Sequence, residues 1–342
     1  MCKPIKVFAA MLNKYITRTL VLLCLVFIGL VFIGLSLRAF TIDVPPPGKL
    51  YDVGSHKLHL DCRGEKNGHP TIVFESGAAT PSPVYYHFAE NLSKTHKICL
   101  YDRAGLAWSE ASGVPSEIPA ITEQLHALLI AANIEKPFVL AGHSIAGLYM
   151  KSYIKQYPQD VAAVAFFDAS HPDQVDKLGL PIGPDEGLPL EQQALKLLIN
   201  LGVTQLYNPQ MGPDIIENFS PNVVAQFEHF HQRSAQVDAS FREIKGIATS
   251  INVTPKDVNY GSLPVLVVTA GEEVDFPPSF PLSFEEFKEY WLGLQADLVA
   301  LSDQSTHVVM DSANHTSMFT AKSNADEVAD YLRDLVRLTQ SD

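Results

Sequence analysis

Short apolar runs alternate along this chain with stretches in which apolar residues recur every three or four positions. The short runs, bounded by turn residues, predict buried strands, and the periodic stretches predict amphipathic helices. The predicted strands lie at residues 49–54, 57–61, 71–75, 97–102, 138–141, 161–167, 265–269 and 306–310, and the predicted helices at 118–132, 148–157, 284–301 and 325–338. This alternation indicates an α/β protein whose mostly parallel sheet is covered by helices on both faces.

The rhythm of strands and helices stops between Asp168 and Leu263. This stretch holds no convincing strand, and its helical patches lie at Glu191–Leu201 and Val223–Val237. A structureless loop of this length is abnormal in a compact domain. We therefore predict a helical cap inserted into the sheet domain at about residues 171–262.

A membrane-spanning segment is predicted near the N-terminus. The run from Thr19 to Leu37 contains no charged side chain, and about 20 apolar residues span a hydrocarbon core. The predicted organisation is a basic cytoplasmic segment at 1–18, a signal anchor at 19–37, a Pro-rich tether at 38–48 and the main domain at 49–342. A cleaved signal peptide and a buried or surface helix are the alternatives for the apolar run.

The distribution of charge sets the expected location and partners. Residues 1–42 carry five basic residues and no acid, which leaves −18 for the rest, since the whole chain carries −13. Basic residues before the apolar run predict a cytoplasmic N-terminus and a main domain on the periplasmic, lumenal or extracellular side. An acidic body repels phosphate backbones, so we expect no nucleic-acid partner.

One short segment carries the strongest chemical signal of the chain. The apolar run Phe138–Ala141 leads into the sequence GHSIAG at 142–147, and a helix-compatible stretch follows. This is the layout of a nucleophile elbow, a strained strand-to-helix turn that exposes one serine hydroxyl above the sheet. Small residues stand on both sides because the turn brings strand and helix close together. Ser144 is therefore the candidate nucleophile.

A serine nucleophile needs a general base within hydrogen-bond reach and an acid that orients this base. His315 follows the last predicted strand, at the sheet edge where ligands of α/β folds bind. The order along the chain, serine first and histidine last, favours His315 over a solvated loop histidine. His307 lies within the strand, and the side chain of His143 is expected to point away from the serine hydroxyl.

Several motifs occur together, in one order, over residues 50–338. They are Glu75-Ser76-Gly77, YDRAGLAWS at 101–109, Gly142-His143-Ser144, FDASHPDQ at 167–174 and Asn314-His315. In these motifs the chain resembles the serine hydrolases of the α/β-hydrolase fold superfamily. The resemblance implies an eight-stranded sheet in the order 1-2-4-3-5-6-7-8 with an antiparallel second strand. Ala146 and Ala107 depart from the pattern, because relatives carry glycine there.

The resemblance leaves two places for the acid of the catalytic triad. In some subfamilies the acid ends strand six, 24 residues after the serine, which is the position of Asp168. In many relatives it follows strand seven, where Glu272, Glu273 and Asp275 offer carboxylates and Val274 stands in the usual slot. An aspartate that ends a buried strand is costly unless it is paired. We favour Asp168 and keep the three later carboxylates as alternatives.

Two backbone N–H donors are expected to stabilise the oxyanion of an acyl-transfer intermediate. In the elbow geometry one belongs to Ile145. The other is expected from the loop after strand three, where Gly77 allows close approach and Ala78 supplies the amide. Asp102 and Arg103 are expected to form a structural ion pair that stabilises the turn after strand four.

Two of the four cysteines, Cys62 and Cys99, lie in the main domain. In an oxidising compartment they are a disulfide candidate, and two buried free thiols are the alternative. The resemblance makes the second and fourth strands antiparallel neighbours, which brings the two residues near each other. Both alternatives stay open at this point.

These features predict a membrane-anchored serine hydrolase that cleaves a carboxylic ester, thioester or amide through an acyl-Ser144 intermediate. Apolar residues in the cap favour a small-molecule substrate with an apolar acyl group, and packing of the cap explains them equally well. A catalytically idle protein that binds a small hydrophobic ligand and an acyltransferase with the same triad are the alternatives. No cofactor or metal site is expected. His229 and His231 are two positions apart, but the sequence offers no grouping of cysteines or carboxylates that would complete a metal shell with them.

Overall fold

A single mixed sheet forms the centre of the protein. The computed structural model describes residues 3–40, 44–179, 187–207, 213–256, 258–276 and 280–339. The sheet has the order β1-β2-β4-β3-β5-β6-β7-β8. Its strands are β1 (Lys49–Asp52), β2 (Lys57–Arg63), β3 (Ile72–Glu75), β4 (Ile98–Asp102), β5 (Phe138–His143), β6 (Val161–Phe167), β7 (Val265–Ala270) and β8 (Ser305–Met310). β2 runs antiparallel to both of its neighbours, β1 and β4, and the other neighbouring strands are parallel to each other. The predicted strand order and the antiparallel direction of β2 are confirmed.

Helices cover both faces of this sheet. In chain order they are α1 (Lys3–Ala39), α2 (Tyr86–Leu92), α3 (Ile118–Ala131), α4 (Ala146–Gln156), α5 (Gln174–Leu178), α6 (Leu190–Asn200), α7 (Pro213–Asn218), α8 (Pro221–His231), α9 (Ser234–Ser250), α10 (Phe284–Val299), α11 (Ser317–Thr320) and α12 (Lys322–Leu338). Alternate strand residues point to opposite faces. Phe74 therefore packs in one core layer with α2 and α12, and the adjacent Val73 packs in the other with α3 and α4.

The chain between β6 and β7 forms helices α5 to α9, without a strand in its described residues. We call residues 171–262 the helical insertion. One helix predicted at 223–237 is in fact two, because Arg233 adopts an extended backbone (φ −111°, ψ 112°) between α8 and α9. The Arg233 guanidinium donates to the carbonyl of Ala107 at 2.6 Å, which fixes this break against the sheet domain.

The N-terminal helix is longer than the predicted apolar run. α1 has 37 residues. Its part from Met11 to Ala39 contains an 18-residue window with a mean hydropathy of 3.0 and is long enough to cross a membrane. At 1.5 Å per residue the whole helix measures about 55 Å, well beyond the roughly 30 Å of a hydrocarbon core. Part of α1 therefore extends past any bilayer that it crosses.

A disulfide joins the two cysteines of the main domain. The register of β2 and β4 places Cys62 directly opposite Cys99, and the two residues are bonded with their Cα atoms 4.0 Å apart. Of the two alternatives that the sequence leaves open, the structure thus has the disulfide.

We expect reduction of this disulfide to lower the free energy of unfolding by about 3–4 kcal/mol, because it closes a loop of 37 residues in the unfolded chain. The measurement is urea unfolding of the detergent-solubilised protein with and without reductant, and of a Cys62→Ser, Cys99→Ser double variant. Cys24→Ser, which leaves the disulfide intact, is the control. Equal unfolding of oxidised and reduced protein would contradict the expectation.

Candidate active site

Ser144 lies at the sharp turn between β5 and α4. Its φ of +58° is in the left-handed region, which non-glycine residues rarely adopt. Two hydrogen bonds hold the turn: the Ser144 N–H donates to Phe167 (3.0 Å), and its carbonyl accepts from the Ser170 N–H (2.8 Å). Both partners belong to β6 or the loop after it, so the neighbouring strand imposes the strained conformation.

The turn tolerates only small residues because strand and helix nearly touch. A Cβ added at Gly142 would lie 2.6 Å from Ala146 Cβ and 2.9 Å from Met150 Sδ. A Cβ added at Gly147 would overlap the carbonyl of Ser170. The departure at Ala146 is therefore accommodated: its methyl group faces Gly142, which has no side chain.

Three predicted residues meet at the carboxyl edge of the sheet. His315 Nε2 lies 3.0 Å from Ser144 Oγ, and His315 Nδ1 lies 2.5 Å from Asp168 Oδ2. The His315 side chain is 47% exposed, whereas Asp168 is buried. The imidazole is thus placed to exchange a proton with the serine on one side while the carboxylate orients it on the other.

The surroundings of Asp168 distinguish it from the alternative acids. Its Oδ1 accepts hydrogen bonds from Trp291 Nε1 (2.7 Å) and the Ala270 N–H (3.1 Å), while Oδ2 faces His315. Glu272 instead accepts from Asn314 Nδ2 at 2.9 Å and so supports the loop that carries the histidine. The other two alternatives, Glu273 and Asp275, are exposed. No sequence pattern indicated that Trp291 donates a hydrogen bond to Asp168.

The two expected oxyanion donors lie in different segments. The Ile145 N–H directly precedes α4, so the positive end of the helix dipole supports an anion there. Ala78 lies at a turn in the loop after β3, and a short 3₁₀ helix (Ser82–Tyr85) follows this turn before α2. No hydrogen bond to either N–H is formed by the part of the chain that the structure describes.

A buried arginine holds the loop after β3 in place. Arg103 donates to the carbonyls of Ser76 (2.8 Å) and Gly77 (2.5 Å), and it pairs with Glu75 (2.5 Å) and with Glu243 of α9 (2.8 Å). Glu243 also accepts from the N–H of Ala79 at 2.8 Å. We call the loop after β3, which carries the Ala78 N–H, the oxyanion loop. Helix α9 of the insertion therefore contacts the oxyanion loop directly.

The prediction of an ion pair between Asp102 and Arg103 is wrong. Asp102 contacts His59 Nδ1 at 2.7 Å and accepts from the Ser82 N–H at 2.9 Å. Adjacent residues of an extended chain point to opposite faces, which separates the two side chains. No sequence pattern indicated Glu243 as the partner of Arg103, because 140 residues separate them.

The other histidines near these motifs have separate partners. His143 is buried, with Nδ1 3.2 Å from Tyr85 Oη and its ring 4.4 Å from that of His315. Burial lowers the pKa of His143 well below its ordinary value, so this ring stays neutral. On the edge strand β8, His307 Nε2 lies 2.8 Å from Thr269 Oγ1 of β7. Within the described residues, no three His, Cys, Asp or Glu side chains gather as metal ligands.

A cavity of about 410 Å³ opens beside Ser144 and His315. Its apolar wall is aromatic, with Phe276, Phe284, Phe287 and Trp291 from α10 and the segment before it. Among the described residues of the insertion, Gln174 alone lines this cavity. Among the described residues the apolar lining thus comes chiefly from α10 and the segment before it, so it gives no support to the interpretation that apolar residues of the cap bind the acyl group.

Known proteins share this architecture. A family model described as the α/β-hydrolase fold matches residues 70–189. A thermophilic esterase from Thermogutta terrifontis aligns with a TM-score of 0.52 and 16% identity, over 84% of this chain and 95% of that chain. The enol-lactonase from Burkholderia xenovorans LB400 aligns with a TM-score of 0.55 and 17% identity, over 83% of this chain and 100% of that chain. The chain has the α/β-hydrolase fold.

A relative in sequence is the uncharacterized protein YbdG of Bacillus subtilis (strain 168). It is 29% identical over 171 residues, which are 48% of this chain and 51% of YbdG. The match thus spans about half of this relative's length.

We expect Glu243→Ala to lower the free energy of unfolding by about 3–5 kcal/mol, because it removes one partner of a buried ion pair. Asp238→Ala on the same helix is the matched control, since Asp238 is 45% exposed and pairs with Lys196 at the surface. The control is expected to change stability by less than about 1 kcal/mol. Equal effects of the two substitutions in urea unfolding would show that the buried network does not hold the insertion.

Proposed function

We propose that this α/β-hydrolase-fold protein is a serine hydrolase that cleaves a carboxylic ester, thioester or amide. The observation that carries the proposal is the unbroken contact from Ser144 Oγ through the His315 ring to Asp168. In this arrangement His315 removes the proton of the Ser144 hydroxyl as the oxygen attacks the acyl carbon. The N–H groups of Ala78 and Ile145 bind the oxyanion that forms.

His315 then donates its proton to the leaving group, which departs as an alcohol, thiol or amine and leaves Ser144 acylated. Water enters, His315 takes one of its protons, and the resulting hydroxide attacks the acyl carbon. His315 then returns this proton to Ser144 Oγ as the bond between the acyl carbon and Oγ breaks, which releases the acid and the free serine. Asp168 keeps Nδ1 of His315 protonated and stabilises the imidazolium in both halves of the reaction. Its buried position and three donors suit this role.

The aromatic cavity beside Ser144 supports a small substrate with an apolar group. Its volume of about 410 Å³ suits a small organic molecule. An acyltransferase uses the same residues and differs only in the acceptor that replaces water. A catalytically idle binding protein is disfavoured because the serine, histidine and aspartate are all present and in contact.

We further propose that α1 is a signal anchor that leaves the main domain on the periplasmic, lumenal or extracellular side. The basic residues before the apolar run favour this direction. The Cys62–Cys99 disulfide supports it independently, because structural disulfides persist in oxidising compartments.

A fluorophosphonate probe is expected to label the wild-type protein and to leave Ser144→Ala unlabelled, because the Ser144 hydroxyl lies in the cavity beside a histidine base that a buried carboxylate orients. Ser170→Ala is the matched control, since Ser170 lines the same cavity without such a partner, and it should be labelled. In-gel fluorescence measures the adduct. Labelling of the folded Ser144→Ala variant would contradict the assignment, and a folded wild-type protein that resists the probe would favour the idle binder.

Asp168→Asn is expected to lower kcat for a simple aryl ester by about 10⁴-fold, because an amide no longer holds His315 in the productive tautomer. Asp275→Asn, in the exposed alternative acid, should retain nearly full activity. Steady-state kinetics of the two variants make the comparison. Loss of activity in Asp275→Asn with retention in Asp168→Asn would assign the acid to the segment after β7.

A further inference from the structure

Helix α6 of the insertion is apolar on the side that faces away from the protein. Leu190 is 80% exposed, Leu197 58% and Leu198 36%, whereas Ile199 is buried. At about 100° per residue, the three leucines and Ala194 fall within one arc of about 100°. Ile199 is apolar because it packs inside the protein. The outward stripe of leucines is not covered by any of the described residues.

The chain after α6 also exposes apolar side chains. Leu206 is 40% exposed and Tyr207 76% exposed. We call Leu190, Leu197, Leu198, Leu206 and Tyr207 the outer apolar face.

The end of α6 and the turn after it contact the C-terminal part of α1. The Arg38 guanidinium donates to the carbonyl of Ile199 at 3.3 Å. The backbone of Gly34 meets the turn after α6 so closely that a Cβ on Gly34 would overlap the carbonyl of Gly202. Both contact positions are glycine, which lets the two backbones approach as packed membrane helices do.

These contacts fix the depth of the turn relative to the apolar run. Gly34 precedes Leu37, the last residue of that run, by three positions, which is about 4.5 Å along a helix. If the run from Thr19 to Leu37 fills the hydrocarbon core, the turn at Gly202 lies about that far inside its outer boundary. Amphipathic segments that lie in a membrane interface bury their apolar side to about 5–10 Å.

We propose that the outer apolar face is seated in the lipid–water interface of the bilayer that α1 crosses. The proposal rests on the membrane anchorage proposed above. Lipid is the occupant because the turn after α6 contacts α1 within its apolar run, where another protein would first have to displace lipid. Tyr207 suits this position, since tyrosine places its ring at headgroup level in membrane proteins.

Seating of α6 would attach the insertion to the bilayer at a second point besides α1. Glu243 of the same insertion contacts Arg103 and the Ala79 N–H. The loop that carries the Ala78 donor is thereby fixed to a segment that rests on the membrane. The active site would then be held at a set orientation above the lipid surface.

Nitroxide labels in the full-length chain test the depth of this face. A Cys2→Ser, Cys24→Ala background keeps the Cys62–Cys99 disulfide, and single cysteines replace Leu197, Leu198, Phe27 in α1 or Asp334 on α12. The proteins are reconstituted in phosphatidylcholine vesicles, and the collision of each label with oxygen and with a water-soluble nickel chelate is measured. Asp334 is 69% exposed and serves as the aqueous control.

Labels at Leu197→Cys and Leu198→Cys are expected to collide more with oxygen than with nickel, as at Phe27→Cys, with the opposite order at Asp334→Cys. A lipid-embedded Phe27→Cys label together with aqueous labels on α6 would overturn the seating and leave the anchor intact. An aqueous Phe27→Cys label would overturn the anchor itself. Protection of the α6 labels from both agents would mean that a protein covers the face, which also contradicts the proposal.

Discussion

The backbone turn at Ser144 is the constraint on which the site depends. A serine with a φ of +58° is strained, and it persists because the bonds to Phe167 and Ser170 hold it against the adjacent strand. The same geometry lifts the hydroxyl out of the sheet and places the Ile145 N–H at the start of α4. Gly142 and Gly147 make the close approach of strand and helix sterically possible. The proposed nucleophile, one proposed oxyanion donor and the packing of β5 against α4 therefore depend on one local conformation.

Hydrogen bonds and ion pairs connect the surroundings of this turn to distant parts of the chain. Asp168 also has a positive φ of 42°, and Trp291 and Ala270 fix its carboxylate. Trp291 stacks on Phe287, with ring centroids 5.6 Å apart, so the wall of the cavity and the acid of the site share a side chain. Occupation of the cavity can thus affect the orientation of Asp168 directly. On the other side of the serine, Arg103 links the oxyanion loop to the insertion.

Local patterns predicted the strands, the turn at Ser144 and the place of His315 after the last strand. The sheet order and the position of Asp168 followed from the resemblance to α/β-hydrolases. Contacts between distant residues could not be predicted in this way. Trp291 meets Asp168 across 123 residues, and Glu243 meets Arg103 across 140. The expected Asp102–Arg103 pair failed because sequence neighbours on extended backbone point apart. The disulfide needed the register of β2 and β4, which the resemblance alone did not fix.

The central claim is that the turn presents Ser144 to an acyl group while two backbone donors face the developing oxyanion. A crystal structure of the protein after reaction with a small alkyl phosphonate tests this most directly, because the bound phosphonate resembles the tetrahedral intermediate. We predict a bond from phosphorus to Ser144 Oγ, with one phosphonyl oxygen about 2.7–3.1 Å from the N–H groups of both Ala78 and Ile145. A phosphonate attached elsewhere, or one whose oxygen faces solvent away from both donors, would contradict the account.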